Sequence, residues 1–167
     1  MSIVKKIKKV FSIFFTLIVK KQVRSYISPL KVNGFSIVSK NTILGKNINF
    51  NGMRISGCGF VKIGDNFHSG KNCLMISQNH NFNQGSKIPY DNTYICKDIE
   101  IEDNVWLGDR VIVLGGVKIG EGAIIQAGSV VVSSIPKYGI AGGHPAKVFS
   151  QRDIKHYEAL KDQCKFH

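Results

Sequence analysis

From Ile101 to Val130 the chain runs through one six-residue unit five times. The first position of the unit holds Ile101, Leu107, Val113, Ile119 and Ile125, and the fifth holds Val105, Val111, Val117, Ala123 and Ser129. A helix would return its apolar residues every 3.6 positions and a lone strand every two, so a sustained period of six fits neither. It is the period of a β-helix, in which six residues form one flat side of a triangular coil. The aliphatic first residue points into the prism, and the fifth, at a corner, must be small enough to tuck under the turn. Positions three and four read Asp103-Asn104, Asp109-Arg110, Gly115-Gly116, Glu121-Gly122 and Ala127-Gly128. Sharp backbone corners favour Gly, Asn and Asp, so the turn chemistry agrees with the core pattern on an all-β, β-helical fold.

Upstream the unit is less regular. Val38, Leu44 and Phe50 are in phase, whereas Ile63, Ser69 and Met75 resume one residue out of register, which predicts a bulge near Gly57 to Gly59. Over residues 77–98 the rule fails altogether, and an irregular insertion of that length in a compact repeat domain is usually functional. The 167 residues leave room for one domain. The expected division is a basic amphipathic segment over 1–30, the β-helix over 31–149 with its inserted loop, and a short helix over 150–167. Ser150 followed by Asp153 reads as a capping box, and Ile154, Tyr157 and Leu160 form an apolar stripe. That helix is expected to cover the open end of the prism, where the last strands would otherwise leave an unpaired edge.

The net charge of +12 comes mainly from Lys and Arg at the two ends, and no nucleic-acid-binding motif accompanies it. Cys58, Cys73, Cys96 and Cys164 are scattered without a Cys-x-x-Cys pair, which predicts reduced thiols in a cytoplasmic protein, with neither a zinc site nor a disulfide framework. The apolar run from Val10 to Val19 is shorter than the ~20 residues a spanning helix needs, and no small-residue cleavage site follows it. Two readings of residues 1–24 remain. In one, Lys5, Lys6, Lys8, Lys9, Lys20, Lys21 and Arg24 meet anionic headgroups while Phe11, Phe14, Phe15, Leu17 and Ile18 enter the acyl boundary. In the other, the segment packs on its own protein or a neighbouring subunit.

The run from Ile99 to Val132, with its segment Asn104-Val105-Trp106-Leu107-Gly108, followed by Ile135-Pro136 and by Gly143-His144-Pro145-Ala146-Lys147, resembles the hexapeptide-repeat acyltransferases. These are left-handed parallel β-helix enzymes, and the likeness, spanning roughly residues 35 to 150, is greatest to their sugar O-acetyltransferases. His144 departs from the family, which more often has a small or amide residue there. The resemblance implies a homotrimer with active sites at subunit interfaces, each binding acetyl-CoA in a groove between two prisms. It places a catalytic histidine in the irregular segment, where Asn79-His80-Asn81 is the match. It places the pantetheine arm beside Gly108, Ala127 and Gly128, and basic residues near the CoA phosphates, for which Lys147 and Lys137 are candidates unless they are simply solvated. Trp106, outward-facing at position six, would stack on a ligand or fill an interface. Asn79, Asn81, Asn83 and Tyr90 would line the acceptor pocket, because amides and phenols suit sugar hydroxyls.

The chemistry is consistent with those assignments. A sugar hydroxyl attacks a thioester only as its proton is removed, and histidine titrates in the range that removal needs. His80 is therefore the expected general base, with direct transfer and no acyl-enzyme. His68, last in its unit, is expected on the solvated surface, and His156 and His167 lie in the tail. The γ-type carbonic anhydrases share the prism but hold zinc with a close histidine pair, which the wide spacing of His68, His80 and His144 does not offer, so no metal is expected. An N-acetyltransferase of an amino sugar shares fold, cofactor and base, and a non-catalytic scaffold would not need the loop that carries His80. The expected activity is O-acetylation of a saccharide in surface polysaccharide or lipopolysaccharide assembly. If that acceptor is lipid-linked, the enzyme would sit peripherally on the inner face of the cytoplasmic membrane.

Overall fold

The computed structural model describes residues 2–167. The chain winds through about six turns of a left-handed parallel β-helix. Its first face carries β1 (Ser25–Tyr26), β3 (Thr42–Leu44), β6 (Val61–Ile63), β11 (Ile99–Ile101) and β14 (Lys118–Ile119). The second carries β2 (Leu30–Gly34), β4 (Ile48–Asn51), β7 (His68–Ser69), β12 (Trp106–Leu107), β15 (Ile124–Ile125), β17 (Gly139–Gly143) and the antiparallel β18 (Ala146–Gln151). The third carries β5 (Met53–Ser56), β8 (Cys73–Ile76), β13 (Ile112–Leu114) and β16 (Val130–Val131).

The first residue of each unit stacks on its counterpart one turn away. Leu44, Ile63, Ile101, Ile119 and Ile135 form one such column. Ser69, Leu107, Ile125 and Ala141 form a second, and Ile55, Met75, Val113 and Val131 a third. All are at most 3% exposed, and each large aliphatic member contributes roughly 1.5–3 kcal/mol by leaving water. Position four is the sharp point of the corner. Asn104, Arg110, Gly116, Gly122 and Gly128 all have positive φ there, as do Asn47, Asn66 and Asn72 upstream. Between the first and second faces the asparagines also bond to one another: Asn47 Nδ2 donates to Asn66 Oδ1 at 2.9 Å, and Asn66 Nδ2 to Asn104 Oδ1 at 3.0 Å. This ladder offsets the left-handed backbone cost of about 1–2 kcal/mol per residue.

The register slip has two parts. Only five residues separate the core positions Phe50 and Ile55, and eight separate Ile55 from Ile63, so residues 56–60 widen the corner between the third and first faces. One turn later the inserted segment leaves from that same corner.

Helix α1 (Ile3–Gln22) closes the N-terminal end. Thr16 Oγ1 accepts from the edge N–H of Val32 at 3.0 Å, Gln22 Oε1 accepts from that of Val38 at 3.0 Å, and Val19 is fully buried beneath them. The C-terminal end departs from expectation. It is β18, folded back on β17, that covers the last edge, and helix α2 (Ile154–Asp162) begins later than Ser150, which lies in β18. Asp153 is itself the N-cap, accepting from His156 N at 3.0 Å, so the capping oxygen comes from the residue expected to answer it. None of α2 is buried, and it docks against the corner at Glu121 and Gly122 through Tyr157 and Lys161. Among the described residues no helix is long and apolar enough to cross a membrane.

Candidate active site

The inserted segment is an arm built on a short hairpin. Ser77, fully buried, ties its root to the prism by donating to the carbonyls of Ser56 and Gly59, each at 3.1 Å. The strands β9 (Gln78–His80) and β10 (Tyr94–Cys96) then pair antiparallel, with His80 opposite Tyr94 and Gln78 opposite Cys96. Here the reduced-thiol expectation fails: Cys58 and Cys96 are joined in a disulfide, their Cα atoms 5.2 Å apart, while Cys73 and Cys164 are free. Both bridged cysteines sit at the corner between the third and first faces, in successive turns, and this position is invisible in their sequence spacing. The tip folds around Asp91, whose carboxylate accepts from the backbone and hydroxyl of both Ser86 and Thr93. The Thr93 hydroxyl is the largest of the influences that hold the Asp91 carboxyl far below the ordinary carboxylate range.

His80 stands between two tyrosines. Tyr90 stacks on it with ring centroids 3.7 Å apart and an interplanar angle of 18°, and Tyr94 lies at 4.7 Å, tilted by 37°. Its Nδ1 is buried without a hydrogen-bond partner among the described residues. The arm thus holds the imidazole by ring packing and leaves its bonding capacity unused. Of the four candidate acceptor residues, Tyr90 touches His80, while Asn79 and Asn83 are exposed and Asn81 accepts from Gln84 N in the turn at 3.1 Å. Tyr94 is a contact the sequence reading missed; it follows from the cross-strand register of the hairpin.

The candidate cofactor residues divide among different edges of the prism. Gly108, Ala127 and Gly128 line the corner between the second and third faces, and Lys147 joins them because it pairs with Gly142 at the end of that row. Gly108 is required by the coil itself, since a Cβ there would stand 2.5 Å from the backbone nitrogen of Ala127. Gly128 opens onto free space, and Lys147 is exposed with no carboxylate partner among the described residues. Lys137 lies on the corner between the first and second faces, bound to Glu121 at 3.0 Å and Glu158 at 3.6 Å. Trp106 is 52% exposed on the second face, where it lines a groove of about 800 Å³ beneath α2 together with His68, Tyr157 and Leu160. His68 is not the solvated residue expected: it is half-buried, its ring 5.1 Å from that of His167, and burial and then the His167 charge hold its imidazole below the ordinary value. Within one chain, His80 and the row from Gly108 to Lys147 therefore occupy different corners.

Residues 98–133 match the family model described as bacterial transferase hexapeptide (six repeats). The chain is 46% identical over 65 residues to a galactoside O-acetyltransferase of Lactococcus lactis, a match covering 37% of this chain and 31% of that protein. It spans less than half the length of the curated relatives it matches. A galactoside acetyltransferase solved in complex with coenzyme A superposes with a TM-score of 0.61 at 26% identity, over 81% of this chain and 63% of that one. A maltose O-acetyltransferase from Clostridium difficile gives 0.60 at 26% identity, over 77% and 66%. Repeat, coil and relatives agree: the chain carries the bacterial transferase hexapeptide repeat over residues 98–133, and its coil is similar to that of solved hexapeptide-repeat acetyltransferases.

Proposed function

We propose that this protein is an acetyl-CoA-dependent O-acetyltransferase that modifies a sugar hydroxyl, with His80 as the general base. The observation that carries this reading is the arm: a histidine held between two tyrosines on a hairpin stapled to the prism, its Nδ1 buried and unbonded. The galactoside and maltose O-acetyltransferases among its relatives, one of them solved with coenzyme A, support the sugar acceptor and the cofactor. In the reaction the imidazole of His80 draws the proton from the acceptor hydroxyl as its oxygen attacks the thioester carbonyl, and returns that proton to the departing thiolate. Asn79, Asn83 and Tyr90, close to His80 along the arm, would contact the saccharide. The exposed row of Ala127, Gly128 and Lys147 fits a pantetheine chain and a phosphate: small residues permit close approach and an unpaired ammonium suits the charge.

Because the base and this row lie on different corners, a complete site needs two prisms side by side, and a homotrimer with sites at its interfaces supplies them. The acceptor we favour is a saccharide of surface polysaccharide or lipopolysaccharide assembly. Incubation of wild type and His80→Ala with acetyl-CoA and a panel of sugars and amino sugars, following thiol release and product mass, tests the reading. Loss of transfer in the variant and release of the acetyl group by mild alkali are expected. An alkali-stable product would make the acceptor an amine, and undiminished transfer by His80→Ala would remove His80 as base.

A further inference from the structure

The prism uses only one side of α1. Ser12, Thr16 and Val19, spaced four and three apart, face the body; Thr16 bonds Val32, Ser12 Oγ donates to Asn33 Oδ1 at 3.2 Å, and Val19 is buried. The opposite side is formed by Ile3, Ile7, Val10, Phe14 and Leu17 at the same alternation of four and three, each at least half exposed, with Ile3 at 76% and Val10 at 66%. Residues 2–11 are exposed throughout, so the first half of the helix overhangs the end of the coil. Phe35, which meets Phe15 edge to face, and Ile37 add exposed apolar surface in the first coil beside it. Residues 1–24 contain Lys5, Lys6, Lys8, Lys9, Lys20, Lys21 and Arg24 and no Asp or Glu.

We infer that the outward face of α1 is a docking surface for an anionic lipid bilayer, lying in the interface with its apolar stripe in the acyl boundary and its lysines among the headgroups. A large apolar face, a strongly cationic polar face and no capacity to span are the properties of an interfacial helix. A second copy of α1 is the competing occupant, because a four-three stripe is also a coiled-coil seam. The charge decides against it: a second copy of residues 1–24 would add seven more basic residues and no carboxylate to answer them, whereas an anionic leaflet supplies the missing negative charge. Since Thr16, Val19 and Gln22 fix α1 across the end of the prism, docking would also fix the orientation of the coil relative to the membrane. The inference does not depend on the proposed acetyl transfer.

The test is co-sedimentation of the full chain with phosphatidylcholine vesicles, with and without phosphatidylglycerol, and no acetyl donor present. Binding to the anionic vesicles alone is expected. It should weaken at least ~100-fold when Lys5, Lys6, Lys8 and Lys9 are all changed to Gln, and comparably in the double variant Ile7→Ser, Phe14→Ser. Thermal unfolding should be unchanged in both, because every substituted side chain is exposed. Absent binding, or binding indifferent to both variants, would overturn the inference. So would a helix whose apolar variant alters only the oligomeric state, which would assign the stripe to a second copy.

Discussion

The prism and its arm are held by different forces. In the prism a residue's fate follows from its place in the six-residue unit: Leu107 and Ile125 are buried because they are first, and Asn104 and Gly122 turn the corner because they are fourth. In the arm almost everything is exposed, and order comes from the buried Ser77, one disulfide, a carboxylate at the tip and stacked rings. On the proposed reading the difference separates stability from chemistry. A rigid column of aliphatic residues leaves the arm free to present a polar group whose hydrogen-bonding capacity the chain itself does not use.

The sharpest way to test that separation is His80→Ala. On the proposed reading it should lower acetyl transfer by roughly 10²- to 10⁴-fold, the usual worth of a general base, while leaving the melting temperature within about a degree of wild type. A large drop in melting temperature would show that the arm belongs to the folding unit. The mirror experiment is Leu107→Ala, which empties a fully buried site in the second column. It should cost about 2–5 kcal/mol in denaturant titration. A cost under ~1 kcal/mol would mean that neighbouring turns collapse to fill the gap and that the columns are less rigid than the stacking implies.

The disulfide lies across the boundary between the two regions. Cys58→Ser should destabilise by about 2–4 kcal/mol through release of the closed loop, and should raise hydrogen exchange in residues 78–96 more than in the strands of turns four and five. Uniform loss of protection would indicate that the arm and prism open together. Smaller effects address the corner alone. Asn66→Ala should cost about 1–2 kcal/mol, having neither the ladder bonds to Asn47 and Asn104 nor a residue suited to φ 54°, whereas Asn66→Gly should recover much of it. Equal costs would place the stabilisation in the side-chain ladder and not in the backbone.

How much of this was legible in the sequence follows the same boundary. The six-residue period located the columns, the corners and the slip near Gly57 to Gly59, because burial in a coil is periodic and sequence displays periods. It could not display the Cys58–Cys96 bridge or the packing of Tyr94 against His80, since both depend on where an aperiodic segment returns. The ends misled for a related reason. Ser150 and Asp153 have the right spacing for a capping box, yet Ser150 is taken up by the strand β18, and sheet pairing there overrode the local signal. Lys137 stood as a candidate for the CoA phosphates or as a solvated lysine because the repeat does not reveal that Glu121 and Glu158 converge on it.

That cluster is also where the prism should yield first to acid. Burial pushes the Glu121 carboxyl up, but the bonds it accepts from Lys161, Lys137 and Tyr157 outweigh burial and hold it below its ordinary value of 4.5. A carboxyl depressed in the folded state contributes stability that is complete above the ordinary value and is lost as the pH falls through the lower, folded one. The group is partly solvated, so the contribution is small, about 1 kcal/mol. It acts on the docking of α2 and spares the columns, and Trp106, the single tryptophan, reports on it from the groove beneath that helix. Acidification below 4.5 should therefore change Trp106 fluorescence before the β-sheet signal in circular dichroism is lost. Glu121→Gln should show the altered emission already at neutral pH and little further change in the acid window. An acid transition in Trp106 fluorescence that survives in Glu121→Gln would mean that other carboxyls hold α2 against the prism.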